Sequence, residues 1–168
     1  MSDLQLGKIF YDHSHGKYYV ENNLDWNPYP TKESDNASLM FWTCFSWYRL
    51  GPIVSIRGNV NGEAYVRLLK EHAIPAIQRL VPNGPGIFQQ DSASPHRYWK
   101  AKETLKKAGI SILPWLAQSP DMNPMENMWH EVKRRLHNSP DKPTSIDDLE
   151  EKVIAAWYSI PYQYYRDV

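Results

Sequence analysis

The most apolar segment of the chain is SLMFWTCFSW, residues 38–47, an almost unbroken hydrophobic run of strand length. A run without polar alternation predicts a strand covered on both faces. GPIVSIRG follows after a short turn as the next strand. Ahead of both, MSDLQLGKIFYDHSHGKYYVENN divides into two strand-like pieces around a His/Gly turn, with Phe10 and Tyr11 before it and Tyr18, Tyr19 and Val20 after it. That pattern reads as a hairpin. The polar, Pro-rich residues 22–37 between hairpin and apolar run read as a surface loop.

Beyond Asn61 the period changes. Ala64, Tyr65, Leu68 and Leu69 recur at helical spacing and predict a helix that continues or restarts from Ile74 to Leu80, with Pro75 at the start of the second piece. VPNGPG is a turn and IFQQ, residues 87–90, a strand. His96 to Ala108 reads as a helix stopped by Gly109, ISIL as a short strand, and PWLAQSPDMNP as a Pro-bounded loop. Asn123, Pro124, Met125 and Glu126 fit the N-cap, N1, N2 and N3 positions of a helix whose apolar stripe is Met125, Trp129, Val132 and Leu136. Ser145 caps a last helix through Trp157, with Ile146, Leu149, Val153 and Ala156 inward. Leading strands joined by short turns, followed by strands that alternate with helices, predict an α/β protein built on one mixed sheet.

Composition adds limits. A chain of 168 residues, 42% hydrophobic and 13% aromatic, suits one domain with a real core. Nineteen basic residues balance nineteen acidic ones, so any contact with DNA must come from local patches. The single cysteine, Cys44, excludes an intramolecular disulfide framework and reads as a small buried hydrophobe in a reducing compartment. No stretch approaches the ~20 apolar residues of a membrane span, so the expectation is a soluble intracellular protein with no membrane partner.

The candidate chemistry lies in two acids. Asp91 follows IFQQ at the carboxyl end of a strand, the edge where open sheets with flanking helices form their sites. Glu126 stands in the first turn of a helix, and 34 residues lie between the two. That is room for a helix, a return strand and a loop that bring the carboxylates together, the layout of a metal site. Each acid has a structural alternative: Asp91 could cap the following helix, and Glu126 at N3 opposite an N-cap Asn could serve a capping box. His96 either supports the site, touches a DNA phosphate, or is a capping or surface residue. Lys133, Arg134 and Arg135 complement the helix dipole or touch DNA. Lys100, Lys102, Lys106 and Lys107 read mostly as a solvated face, and Asp121 as a turn residue.

FQQDSASPH, ILPWLAQSPDMNPMENMWHEVKRRL and, upstream, SLMFWTCFSWYRLGPIVSIRGNVNGEAYVRLL closely resemble the catalytic domain of the mariner superfamily of cut-and-paste DNA transposases. The likeness is to the branch with an Asp, Asp, Glu triad and 34 residues between the last two acids, and it covers nearly the whole chain. It implies a ribonuclease H-like mixed five-stranded sheet flanked by helices, with residues 1–168 as a single catalytic domain cut short at both ends and without its helix-turn-helix units. It also implies that Asp3, in the Ser2-Asp3 pair on the first strand and 88 positions before Asp91, is the first acid, although Leu4 stands where the family has Glu. Asp12, 79 positions before Asp91, competes for that role but leads into the hairpin turn.

On this resemblance Asp3, Asp91 and Glu126 hold two Mg²⁺ or Mn²⁺ ions, with Asp91 bridging both, while His96, Asn123 and Lys133 lie behind the ligands or touch DNA. Two ions in such a site activate water, neutralise the phosphodiester and stabilise the departing oxygen. The implied reaction nicks DNA at transposon ends and transfers the 3′-hydroxyl to target DNA. The implied partners are transposon-end and target DNA and, in the full-length protein, a second copy; the implied compartment is the nucleus. The alternative is a catalytically inactive, domesticated remnant acting as a binding scaffold. A nuclease of the same fold would share the ligands and lack strand transfer.

Overall fold

A computed structural model of the chain describes residues 2–12, 17–21, 37–81, 87–91, 93–113 and 123–167, with side chains from Leu39 onward in those ranges. The expected hairpin turn, the loop over residues 22–36, the VPNGPG turn and the Pro-bounded loop with Asp121 lie outside the described residues, apart from single residues at their edges.

The sheet contains β1 (Ser2–Asp12), β2 (Lys17–Glu21), β3 (Ala37–Ser46), β4 (Leu50–Ile56), β5 (Ile87–Gln90) and β6 (Ser111–Ile112). Their order is β4-β3-β1-β5-β6, with β2 also on β1. The sheet is mixed: β1 runs antiparallel to β3 and β2 and parallel to β5, and β6 runs parallel to β5. It has six strands where five were expected. Along β1, four-residue β5 takes only Ser2, Asp3 and Leu4, and β2 takes the backbone groups of the same edge from Lys8 to Asp12.

The apolar run behaves as its pattern dictates. Leu39, Phe41 and Phe45 enter one core with Met125, Met128, Trp129, Val132 and Leu136 of α5 (Pro124–Asn138) and Leu149, Val153 and Trp157 of α6 (Ile146–Tyr158) once those helices cover one sheet face. Trp42 and Cys44 enter a second core with α1 (Gly62–Leu68), α2 (Ile74–Leu80) and α4 (Trp99–Lys107) on the other face. Burial pushes the Cys44 thiol up to about 12, which leaves it the inert hydrophobe expected.

The helix expected to continue or restart at Ile74 continues, and the one expected from His96 to Ala108 is broken. Between α1 and α2 the chain runs without a break through a π-helical turn, Leu69–Ala73, in which the Ile74 N–H donates to the Leu69 carbonyl. Pro75 explains it: a proline has no N–H to give and its ring collides with the carbonyl four residues back, so the ladder widens just before it. The single helix expected from His96 to Ala108 is instead α3 (Ser94–Arg97) and α4, separated by Tyr98 in extended conformation (φ −59°, ψ 129°). That break lays the Tyr98 ring over Gly62, where a β-carbon would stand 2.5 Å from ring atoms, and lets the phenol donate to Glu63 at 2.6 Å. Gly109 stops α4 as expected, at φ +72°, a conformation a β-carbon disfavours. A short α7 (Tyr164–Asp167) closes the described chain.

Glu131 of α5 is only 3% exposed and was not foreseen inside. Arg134 donates to it at 2.7 and 2.8 Å and Arg135 at 2.7 Å, and Arg135 also donates to the Ser159 carbonyl at 2.9 Å, which ties α5 to the end of α6. The hydrogen bond from Arg134 draws the Glu131 carboxyl below its usual range, Arg135 adds to it, and burial opposes both. A folded-state pKa below the unfolded one contributes stability that is present above about 4.3 and lost as pH falls through the folded value. Glu131→Gln should therefore lower Tm by a few degrees at pH 7, and the gap from the native chain should close as pH falls below the ordinary carboxyl value of about 4.3 and through the lowered folded one. Thermal melts across that range check this; a gap that stays constant would remove the ion pair as its cause.

Candidate active site

IFQQ is short and mostly buried because Phe88 fills the second core while Gln89 and Gln90 are 4% and 6% exposed. Buried amides need partners. Gln90 Oε1 accepts from the Tyr65 hydroxyl at 2.7 Å, which fastens the strand end to α1. Asp91 comes next, one-third exposed. Its Oδ1 accepts the Ala93 N–H at 2.9 Å and the His96 Nδ1–H at 2.5 Å. Asp91 thus does close the turn into the following helix, as its structural alternative required, and does so with one oxygen. Among the described residues no donor reaches Oδ2, which is the oxygen left to an external ligand.

His96 is 2% exposed, so it is neither a surface residue nor open to a DNA phosphate in this arrangement. Pro95 in the first turn of α3 and the bond from the His96 N–H to the Ala93 carbonyl, 3.0 Å, set its backbone, and its ring lies 4.5 Å from that of Tyr65. Burial pushes the Asp91 carboxyl up, but the His96 hydrogen bond and charge and the Ala93 N–H together hold it below its usual range. Asp91 is therefore ionised at neutral pH. A carboxylate only accepts, so the imidazole proton sits on Nδ1, and Nε2 is buried without a partner among the described residues. Burial, with the charge of Asp91 added, pushes the Tyr65 phenol well above its ordinary value, so Tyr65 acts as a neutral donor.

Glu126 is half-buried at N3 of α5, beside the buried Met125. Asn123 caps that helix: its Oδ1 accepts from the Met125 N–H at 3.1 Å and its carbonyl from the Glu126 N–H at 2.9 Å. The Asn123 side-chain oxygen is thereby committed to the helix start. Lys133, two turns along the same helix, is half-buried; burial pushes its ammonium down and the charge of Glu126 opposes this. The two share an electrostatic environment.

Backbone register locates the remaining acid. Asp3 pairs with Phe45 on β3 and with Gln89 on β5, two residues before Asp91. Its position belongs to the sheet face of Phe45, which α5 and α6 cover, and α5 packs against β1 itself. Asp12 pairs with Lys17 of β2 at the far end of β1, about 30 Å along the strand from Asp3 at ~3.3 Å per residue, which removes it as a competitor. Asp3 and Asp91 thus lie on neighbouring parallel strands, and Glu126 on the helix against the first of them. Among the described residues no three His, Cys, Asp or Glu side chains form a metal cluster, and of Asp3 only the backbone is described.

The Asp91 carboxylate, ionised and with one oxygen uncommitted, is oxygen-donor chemistry of the kind a hard divalent cation takes, and the one thiol, Cys44, is buried in the second core. Sequence reasoning missed Tyr65 and Gln90, which brace the site from behind. The available signal was the polar Gln89-Gln90 pair closing an otherwise buried strand, with Tyr65 read only as part of an apolar helix face.

No family model matches the chain. In sequence it is similar to the Tcb1 transposase of Caenorhabditis briggsae, 32% identical over 132 residues, which are 79% of this chain and 47% of that protein. The Tc1 transposase of Caenorhabditis elegans is 29% identical over 132 residues, with the same coverage of 79% and 47%. The chain thus spans about half the length of these relatives. In structure it matches the Mos1 transposase catalytic domain with raltegravir and Mn at a TM-score of 0.68 and 19% identity, over 77% of this chain and 68% of that one. It matches the Mos1 mariner paired end complex with Mn at 0.75 and 17% identity, over 99% and 50%. Its homologues in sequence are thus Tc1/mariner transposases, and its ribonuclease H-like α/β fold matches that of the Mos1 mariner transposase catalytic domain.

Proposed function

We propose that the chain is the divalent-metal-dependent DNA-cleaving and joining part of a transposase, with Asp3, Asp91 and Glu126 as its metal ligands. The observation that carries this reading is the Asp91 carboxylate: ionised, fixed through Oδ1 by Ala93 and His96, and uncommitted at Oδ2, at a strand end beside the strand of Asp3. When bound, Mg²⁺ or Mn²⁺ supplies Lewis-acid polarisation of the phosphodiester and a water activated for attack. Asp91 and Glu126 would hold that charge, and His96 would keep the Asp91 carboxylate from rotating away. Asn123 would fix the helix turn that carries Glu126, and Lys133 would add positive charge near the same acid. The substrate is DNA, at transposon ends and at a target. The mixed, neutral charge of the chain argues for weak binding with little sequence preference and a strong dependence on salt.

The test is nicking and strand joining of duplexes carrying the element's ends, with and without Mg²⁺ or Mn²⁺. Cleavage that needs the metal, followed by joining, supports a transposase; cleavage without joining leaves a nuclease. Glu126→Gln separates ligand from cap. Gln still serves an N3 position, so metal-free stability should change by less than ~0.5 kcal/mol while cleavage and the metal-induced rise in Tm are lost. A metal-free loss of more than ~1 kcal/mol with metal binding intact would make Glu126 a capping residue instead.

A further inference from the structure

Shortly after Asp91 in the chain comes a surface that the proposed metal ligands do not use, the outer face of α4. It starts eight residues after Asp91 with Trp99, which is 62% exposed. The ring is held between Tyr98, centroids 6.1 Å apart, and the Lys100 ammonium, 5.6 Å from its centre. The cations of this helix and its approach divide into two groups. Lys100 is bound to Glu63 at 2.6 Å and Lys107 to Glu103 at 2.9 Å. Arg97, Lys102 and Lys106 are exposed and have no carboxylate partner among the described residues. Trp99, Lys102 and Lys106 stand at i, i+3 and i+7, one stripe about 10 Å long. Unpaired cations in line with an open aromatic ring are what single-stranded nucleic acid requires, phosphate neutralisation beside a stacking surface. A docking protein would instead call for a wider apolar patch, and Trp99 is the only large exposed apolar side chain described on this helix.

We propose that this stripe binds one DNA strand, with Trp99 stacking on an unpaired base and Lys102 and Lys106 on phosphates of the same strand. Resting on the reading of Asp91 as a cleavage-site ligand, this makes the substrate a DNA with unpaired nucleotides beside the phosphodiester to be cut.

The experiment uses the whole chain without metal and a duplex with a short single-stranded overhang containing 2-aminopurine. Binding should quench the 2-aminopurine. Trp99→Ala should abolish most of the quench and weaken binding about tenfold or more, while Trp99→Phe keeps both. Lys102→Ala with Lys106→Ala should lower the salt slope of binding by roughly 1.4, at ~0.7 per single-strand phosphate. Unquenched 2-aminopurine, native affinity in Trp99→Ala, or equal affinity for a blunt duplex overturns the proposal. Metal-dependent nicking is read separately. Nicking that needs Asp91 together with a silent Trp99→Ala defeats the stripe alone, and Trp99-dependent binding without any nicking defeats the cleavage reading and leaves the stripe.

Discussion

Under the proposed function, Asp91→Asn should abolish metal-dependent nicking and leave the metal-free protein folded. An Asn side-chain oxygen still accepts from the Ala93 N–H and from His96, now at 2.9 and 2.5 Å from Oδ1, so the turn into α3 survives. What is lost is the anionic oxygen offered outward, and a neutral amide is a poor ligand for Mg²⁺ or Mn²⁺. The native chain should gain ~2.7 kcal/mol of apparent stability when metal stands at about one hundred times its Kd, because the ion binds only the folded state. The variant should gain none. Thermal melts with and without metal, alongside plasmid nicking, check both halves; equal metal-induced shifts in the two proteins would take Asp91 out of the site. Asp91→Ala makes a useful contrast, since it also strands the Ala93 N–H and His96 Nδ1 and should cost metal-free stability at ~1–3 kcal/mol for unsatisfied buried donors.

The second large effect is structural. Trp157→Ala should destabilise the chain by about 3–5 kcal/mol, a large share of the ~5–15 kcal/mol typical of a domain. Trp157 is fully buried in the core between the sheet and α5/α6, lies 6.2 Å from Trp129 in a tilted pair, and donates Nε1–H to the Gly51 carbonyl at 3.1 Å. Truncation removes the packing, opens a cavity and unpairs that buried carbonyl. A chain of this size should lose Tm by about 2–4 °C per kcal/mol. Trp157→Phe, which keeps an aromatic ring but loses the hydrogen bond and part of the indole's packing, should cost less than Trp157→Ala. A loss below about 1 kcal/mol for the Ala variant would mean that α6 is not anchored through this residue.

The elements were legible where they depend on neighbours a few residues away. The unbroken apolar run at β3, the Asn123-Pro124 start of α5 and the Ser145 cap of α6, whose oxygen accepts the Asp148 N–H at 3.1 Å, are all short-range chemistry. The break at Tyr98 was not legible, because it is decided by a partner 36 positions away: Gly62 admits the ring only if α4 starts afresh. The burial of Glu131 was hidden for the opposite reason. Its Arg partners are adjacent in sequence, but a Glu-x-x-Arg-Arg pattern looks the same on a solvated face, and only the fold turns it inward. Strand order was equally non-local: the place of β1 between β3 and β5 is set by pairings across the chain that periodicity does not reveal. At the site, Asp91 and Glu126 stood out by their position after a strand and at a helix start. The bond from His96 to Asp91 depends on Pro95 and the buried Tyr65 wall, and no spacing rule reveals that wall.

Asp3, Asp91 and Glu126 are proposed to share a divalent ion. The most direct measurement is an anomalous difference map from crystals of the chain grown with Mn²⁺. It should show a peak on the order of 2 Å from carboxylate oxygens of Asp91 and Glu126, with the Asp3 carboxylate on the same ion or on a second one ~4 Å away. A peak bound elsewhere, or Asp3 remote from ions held by the other two acids, would contradict the three-acid site.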